Sequence, residues 1–125
     1  MKLLDTSVCA DHLLARPQAV ELLDGLLAGG EELASSELVR FELLAGTRPA
    51  EQAALDAFQA AVLWLPVTEA VARLAADLAR RFRTSGASTD ATDYLLAATA
   101  MVAGAELLTL DAGHFPMFPG LTAPY

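Results

Sequence analysis

Two short apolar runs of this 125-residue chain end on aspartate, KLLDTS at Asp5 and LLTLDAG at Asp111. Two more aspartates, Asp90 and Asp93, stand at the point in STDATDYLLAATAM where a polar lead-in gives way to an apolar run. A glutamate, Glu42, falls beside the apolar stripe of SELVRFELLAG, among Leu38, Phe41, Leu44 and Ala45. A carboxylate near a core face is costly without a partner, and a cation is a natural one. Four or five carboxylates with no histidine or cysteine cluster are hard oxygen donors, suited to Mg²⁺ or Mn²⁺ rather than zinc. Each acid also has an ordinary explanation. A strand-end aspartate can form a turn, a helix glutamate can be solvated, and Asp90 and Asp93 can cap a helix whose dipole favours negative charge at its start. The pair at two strand ends is the most informative, because function in open α/β sheets collects at the carboxyl ends of strands.

The elements that must hold these acids follow from local pattern. Met1 to Leu4 reads as a buried parallel strand, with Thr6 or Ser7 capping a helix to about Leu14. Pro17 opens a helix over 17–28 that Gly29-Gly30 ends. Leu33-Ala34 is a very short strand, and Ser35-Ser36-Glu37 starts a helix closed by Gly46. A helix over 49–61 and a brief strand over 62–67 precede the clearest helix, 68–83, where Val71, Leu74, Ala75, Leu78 and Phe82 recur at three- and four-residue steps. A loop over 84–89, the helix of Asp93 stopped by Gly104, and a strand over 106–110 complete the pattern. Strands alternating with helices describe an α/β fold, a three-layer domain in which helices flank a small, mostly parallel sheet. Residues 1–125 read as a single domain, with no internal repeat and no low-complexity linker.

Composition narrows the function classes. Charge interrupts the apolar stretches at Asp5, Asp11, Glu21, Asp24, Asp77 and Glu106, so no run reaches the roughly 18 to 20 residues of a membrane span. Asp5 and Asp11 break the region a signal peptide would keep apolar, and the expected location is the cytoplasm. One cysteine, Cys9, excludes an internal disulfide framework and is expected as a buried small hydrophobe. A net charge of −8, from 16 acidic and 8 basic residues, disfavours broad nonspecific nucleic-acid binding but leaves a metal-dependent nuclease open.

LLDTSV, SELVRFELLAG and DYLLAATAMVAGAELLTLDAGHFP, with the overall length, resemble a PIN-domain ribonuclease of the VapC type, the toxin of bacterial toxin–antitoxin pairs. The resemblance covers essentially the whole chain. The run D-x-L-L-A-A-T-A followed by T-x-D-x-x-H-F is specific in combination. It implies a PIN-like fold and an acidic site of Asp5, Glu42, Asp93 and Asp111, catalytic and metal-ligating, with Asp90 outside the matching position. It further implies Mg²⁺- or Mn²⁺-dependent endonucleolytic cleavage of RNA, in which bound ions activate a water. A homodimer and a cognate antitoxin protein are implied as partners.

Thr6, Ser7 and Thr109 are hydroxyls placed to orient those carboxylates, although cap or turn duty is their ordinary reading. His114 matches a common family position and is expected to fix its loop or contact phosphate. His12 is expected to be structural, and Trp64 to lie in the core or a dimer interface. Arg73, Arg80, Arg81 and Arg83 are either a solvated face or an RNA-backbone contact, with Lys2 and Arg16 elsewhere. Arg40 and Arg48 flank Glu42 and are candidates for the substrate side of the site. Two other functions compete. A haloacid-dehalogenase phosphohydrolase needs a second aspartate where Ser7 stands, and a catalytically inactive PIN-like interaction module would use the acids only as caps.

Overall fold

Leu3 and Leu4 are both fully buried, which explains how a run of three residues, Lys2–Leu4, holds as strand β1. Adjacent strand residues face opposite sides, so cover is needed on both faces, as in parallel sheets. In the computed structural model, which describes residues 1–125, β1 is followed by α1 (Thr6–Leu13), α2 (Pro17–Ala28) and β2 (Leu33–Ser36). Then come α3 (Glu37–Gly46), a 3₁₀ turn (Pro49–Glu51), α4 (Gln52–Ala61) and β3 (Leu63–Leu65). The chain closes with α5 (Glu69–Phe82), α6 (Ala91–Ala103), β4 (Glu106–Leu108) and a second 3₁₀ turn (Ala112–His114). All pairings are parallel, in the order β3-β2-β1-β4, so the expected α/β architecture with a small parallel sheet flanked by helices is the one observed. Lys2 to Leu4 pair with Glu106 to Leu108, which places β1 inside the sheet and brings its carboxyl end beside that of β4.

The core runs continuously from Leu3, Leu4 and Val8 through Val39 and Leu55 to Leu96 and Phe115. Burying each such side chain contributes about 1.5–3 kcal/mol. Cys9 is buried as expected, and burial pushes its thiol up out of the reactive range. Helix α6 is lined by buried alanines at 97, 98 and 100, small residues that allow α5 to pack closely along it. Gly104 ends α6 at φ +64°, the left-handed conformation that glycine adopts without steric cost.

Several boundaries differ from expectation for identifiable reasons. Strand β2 continues through Ser35 and Ser36, because the Ser35 hydroxyl is buried and donates to the Leu4 carbonyl at 2.6 Å. Residues 49–61 divide at Gln52 into a 3₁₀ turn and a helix. Strand β3 spans only Leu63–Leu65, ahead of Pro66, which has no N–H to donate. Strand β4 stops at Leu108, not at Leu110. The Leu110 amide donates to Ser7 Oγ at 3.1 Å and the Asp111 amide to Thr109 Oγ1 at 2.9 Å, which turns the backbone out of the ladder.

Candidate active site

Asp5, one residue past β1, is 9% exposed and receives three hydrogen bonds. The Thr6 amide donates to Oδ1 at 2.7 Å, while the Thr109 and Ser7 hydroxyls donate to Oδ2 at 2.6 and 3.3 Å. Asp5 itself is therefore the N-cap of α1, the duty expected of Thr6 or Ser7. Those hydroxyls serve the carboxylate instead, and Thr109 reaches it from the far end of the chain. Glu42 projects from α3, and its Oε1 accepts the Thr6 hydroxyl at 3.0 Å, so Thr6 joins the two acids, with its amide on one and its hydroxyl on the other.

Asp93 approaches from the first turn of α6. Its amide donates to Asp90 Oδ1 at 2.9 Å, and its own Oδ2 accepts the Asp90 amide at 3.1 Å, a reciprocal capping box. Asp90 is the N-cap, and its carboxylate is thereby committed to the helix start. The Asp93 carboxyl is pushed up to about 6, first by desolvation and then by the charges of Asp90 and Asp5. The Asp90 amide and His114 oppose that rise. His114 Nδ1 lies 3.7 Å from Asp93 Oδ2. The second 3₁₀ turn that carries His114 is held by Thr89, whose hydroxyl donates to the His114 carbonyl at 2.8 Å. Nothing in the local sequence signals that last contact.

The structure thus brings Asp5, Glu42 and Asp93 to one end of the sheet, linked by Thr6 and by mutual electrostatics. Asp111 joins less closely: it opens the second 3₁₀ turn, its carboxylate is exposed, and it caps nothing. No three carboxylates or histidines converge on a single point, an approach that like charges resist. The donor set is nonetheless all oxygen, with one carboxylate fixed by three donors and another destabilised by desolvation and then by its anionic neighbours. Both properties suit a hard divalent cation.

The basic residues are placed selectively. Arg40 does not line the site. Its guanidinium donates to Glu37 at 2.8 and 3.0 Å and to Gln59 at 2.9 Å, and lies 4.5 Å from the Trp64 ring centroid. Trp64 is half-buried against Phe58, with its indole N–H on the Gln59 carbonyl. Arg48 shares a cavity wall with Glu42 and Thr6. On α5, Arg73 pairs with Glu69 at 3.3 Å, Arg80 pairs with Asp77, and Arg81 stacks over Phe82. His12 packs against Phe58, as expected of a structural histidine, with its Nδ1 buried and unpartnered.

Comparison with known proteins agrees with this geometry. The PIN domain family matches residues 2–117. Ribonuclease VapC19 of Mycobacterium tuberculosis is 57% identical over 125 residues, all of both chains. Ribonuclease VapC10 of the same organism is 38% identical over all of this chain and 93% of its own. Among solved structures, a chain of VapBC2 from Rickettsia felis, crystallised with a promoter DNA fragment, superposes with a TM-score of 0.82. That match covers 98% of this chain and 96% of the other at 23% identity, a likeness of fold. The chain belongs to the PIN-domain family and, within it, to the VapC group.

Proposed function

We propose that this protein is an endoribonuclease, the toxin of a toxin–antitoxin pair, acting in the cytoplasm with Mg²⁺ or Mn²⁺ held by Asp5, Glu42, Asp93 and Asp111. The full-length 57% identity to a ribonuclease VapC19 carries the activity. The three-donor anchorage of Asp5 beside Glu42 and Asp93 supports the assignment of the site. A divalent ion held by these carboxylates would supply Lewis acidity, lowering the pKa of a water and offsetting charge on the phosphate and leaving oxygen. Thr109, Ser7 and the Thr6 amide hold the Asp5 carboxylate in one rotamer. The Thr6 hydroxyl holds Glu42, and the capping box fixes Asp93 at the α6 N-terminus. Such preorganisation lowers the cost of reorganising the site during reaction. His114 is placed to contact phosphate at the edge beside Asp93.

Two partners belong to the same reading. A cognate antitoxin is supported by an apolar groove of about 330 Å³ between α1, α2 and α4, lined by His12, Leu23, Leu27, Phe58 and Val62. A homodimer is supported by large apolar side chains left open on α3, with Phe41 69% and Leu44 47% exposed. No helix is long and apolar enough to cross a membrane.

Purified, antitoxin-free protein is expected to cleave RNA with Mn²⁺ and to stop with chelator. Asp5→Ala and Asp93→Ala should lower the rate by at least about a hundredfold, as loss of an electrostatic group does. Equal cleavage in all these samples would sink the assignment. Calorimetry with Mn²⁺ separates this function from an inactive PIN-like interaction module, for which only weak surface binding would be seen.

A further inference from the structure

We propose that the cavity between α1, α3 and the first 3₁₀ turn is a subsite for the nucleotide next to the cleaved bond, with Arg48 holding that nucleotide's phosphate. The subsite rests on the nuclease reading and adds to it a place for the flanking RNA. The cavity is about 260 Å³ and is lined by Thr6 and Glu42 of the acidic site together with Leu13, Thr47, Arg48 and Glu51. That size falls just below the roughly 300–1,000 Å³ of small-ligand pockets and suits a single nucleotide rather than a larger body. Because Thr6 and Glu42 belong to both, a strand whose reacting phosphate sits at the carboxylates has its next residue at this wall.

The lining divides by chemistry. Leu13 at the end of α1 and Leu14 just past it form an apolar side, with Leu14 56% exposed, against which a base can lie. Arg48 is the one basic residue of the lining, and its side chain is 82% exposed. It is tied only to Glu51, at 3.3 Å, an i,i+3 surface pair of the kind that contributes little to stability. Phosphate can therefore displace Glu51 at little cost, and the planar guanidinium suits a phosphate in a bidentate grip. Arg40, the other arginine beside Glu42 in sequence, is held by Glu37, Gln59 and Trp64. In a chain of net charge −8 the flanking phosphates need a local cation, and Arg48 is the one at this wall.

Opposed substitutions test the subsite in steady-state cleavage of a randomised-sequence RNA pool in Mn²⁺. Arg48→Ala is expected to raise KM about tenfold with kcat within about twofold, and to flatten the dependence of log(1/KM) on log[salt] by about 0.7. Arg48→Lys should fall between Ala and wild type. Glu51→Gln, which frees the guanidinium, should lower KM. Lys2→Gln, at the amino end of β1 and paired with Glu106, should leave all parameters as in wild type. A pair that merely braces the turn would make Arg48→Ala and Glu51→Gln move KM in the same direction, and that result overturns the subsite. An unchanged KM and salt slope in Arg48→Ala, with wild type active, overturns the subsite alone. Wild type that fails to cleave RNA overturns the nuclease reading and the subsite together.

Discussion

At the scale of single residues, Asp93 carries the most readable consequence. In the proposed metal site a cation competes with the proton for this carboxyl, so with the pKa pushed up to about 6, Mn²⁺ affinity should fall about tenfold per unit below that pH. Above about pH 7 it should level off. Isothermal titration between pH 5 and 8 checks this, and a flat affinity across the range would contradict it. Stability has the opposite sense. The folded pKa exceeds the ordinary carboxyl value of 3.8, so the folded state binds the proton more tightly, and stability is lost as pH rises from about 4 through about 6. Asp93→Asn keeps an acceptor for the Asp90 amide and removes the charge. Without metal it should therefore melt a few degrees above wild type at pH 8 and equal to it at pH 4. Because Asp93 is only partly buried, the gain is screened to about 1 kcal/mol.

At the scale of elements, Asp90 and Asp93 divide their labour through the capping box of α6. Asp90→Ala should cost about 1 kcal/mol in urea unfolding, restored by Asp90→Ser. It should also shift the pH midpoint of Mn²⁺ binding downward, because one of the charges that raises the Asp93 pKa is gone. An unchanged midpoint would argue against that coupling. Helices with strong local signals were legible in sequence: Pro17 and the glycine pair bound α2, and Thr68 with its apolar periodicity defines α5. Thr109 was legible only as a hydroxyl near an acid, since its partner Asp5 lies 104 residues away. The early end of β4 was hidden for the same reason, because it depends on Ser7 Oγ. Arg40 shows a signal that was available: residues two apart on a helix do not face each other, so a residue at 40 points away from one at 42. Arg48, past the end of α3, is free of that rule.

At the scale of the whole molecule, the apolar side chains left uncovered define the remaining behaviour. Phe41 at 69% exposure is the most exposed of them, and it shares α3 with Glu42. Phe41→Asp should convert a dimer to a monomer in sedimentation velocity while leaving the melting curve of the isolated protomer little changed, since an exposed side chain contributes little to its own core. An unchanged sedimentation coefficient would contradict the proposed homodimer through this face.

The hydrogen bond from Thr109 to Asp5 and the pairing of β1 with β4 also set an order of events during synthesis. Contacts between the two ends of a chain are the slowest to close, and domains emerge from the ribosome N-terminus first. Asp5 is among the first residues made, yet its carboxylate is not fixed until residues beyond 105 have joined the sheet. A nascent or truncated chain therefore carries the acids without their scaffold. A chain cut before β4 is accordingly expected to show no RNA cleavage under conditions in which the full-length protein cleaves, and cleavage by the shortened chain would contradict the proposed role of Asp5.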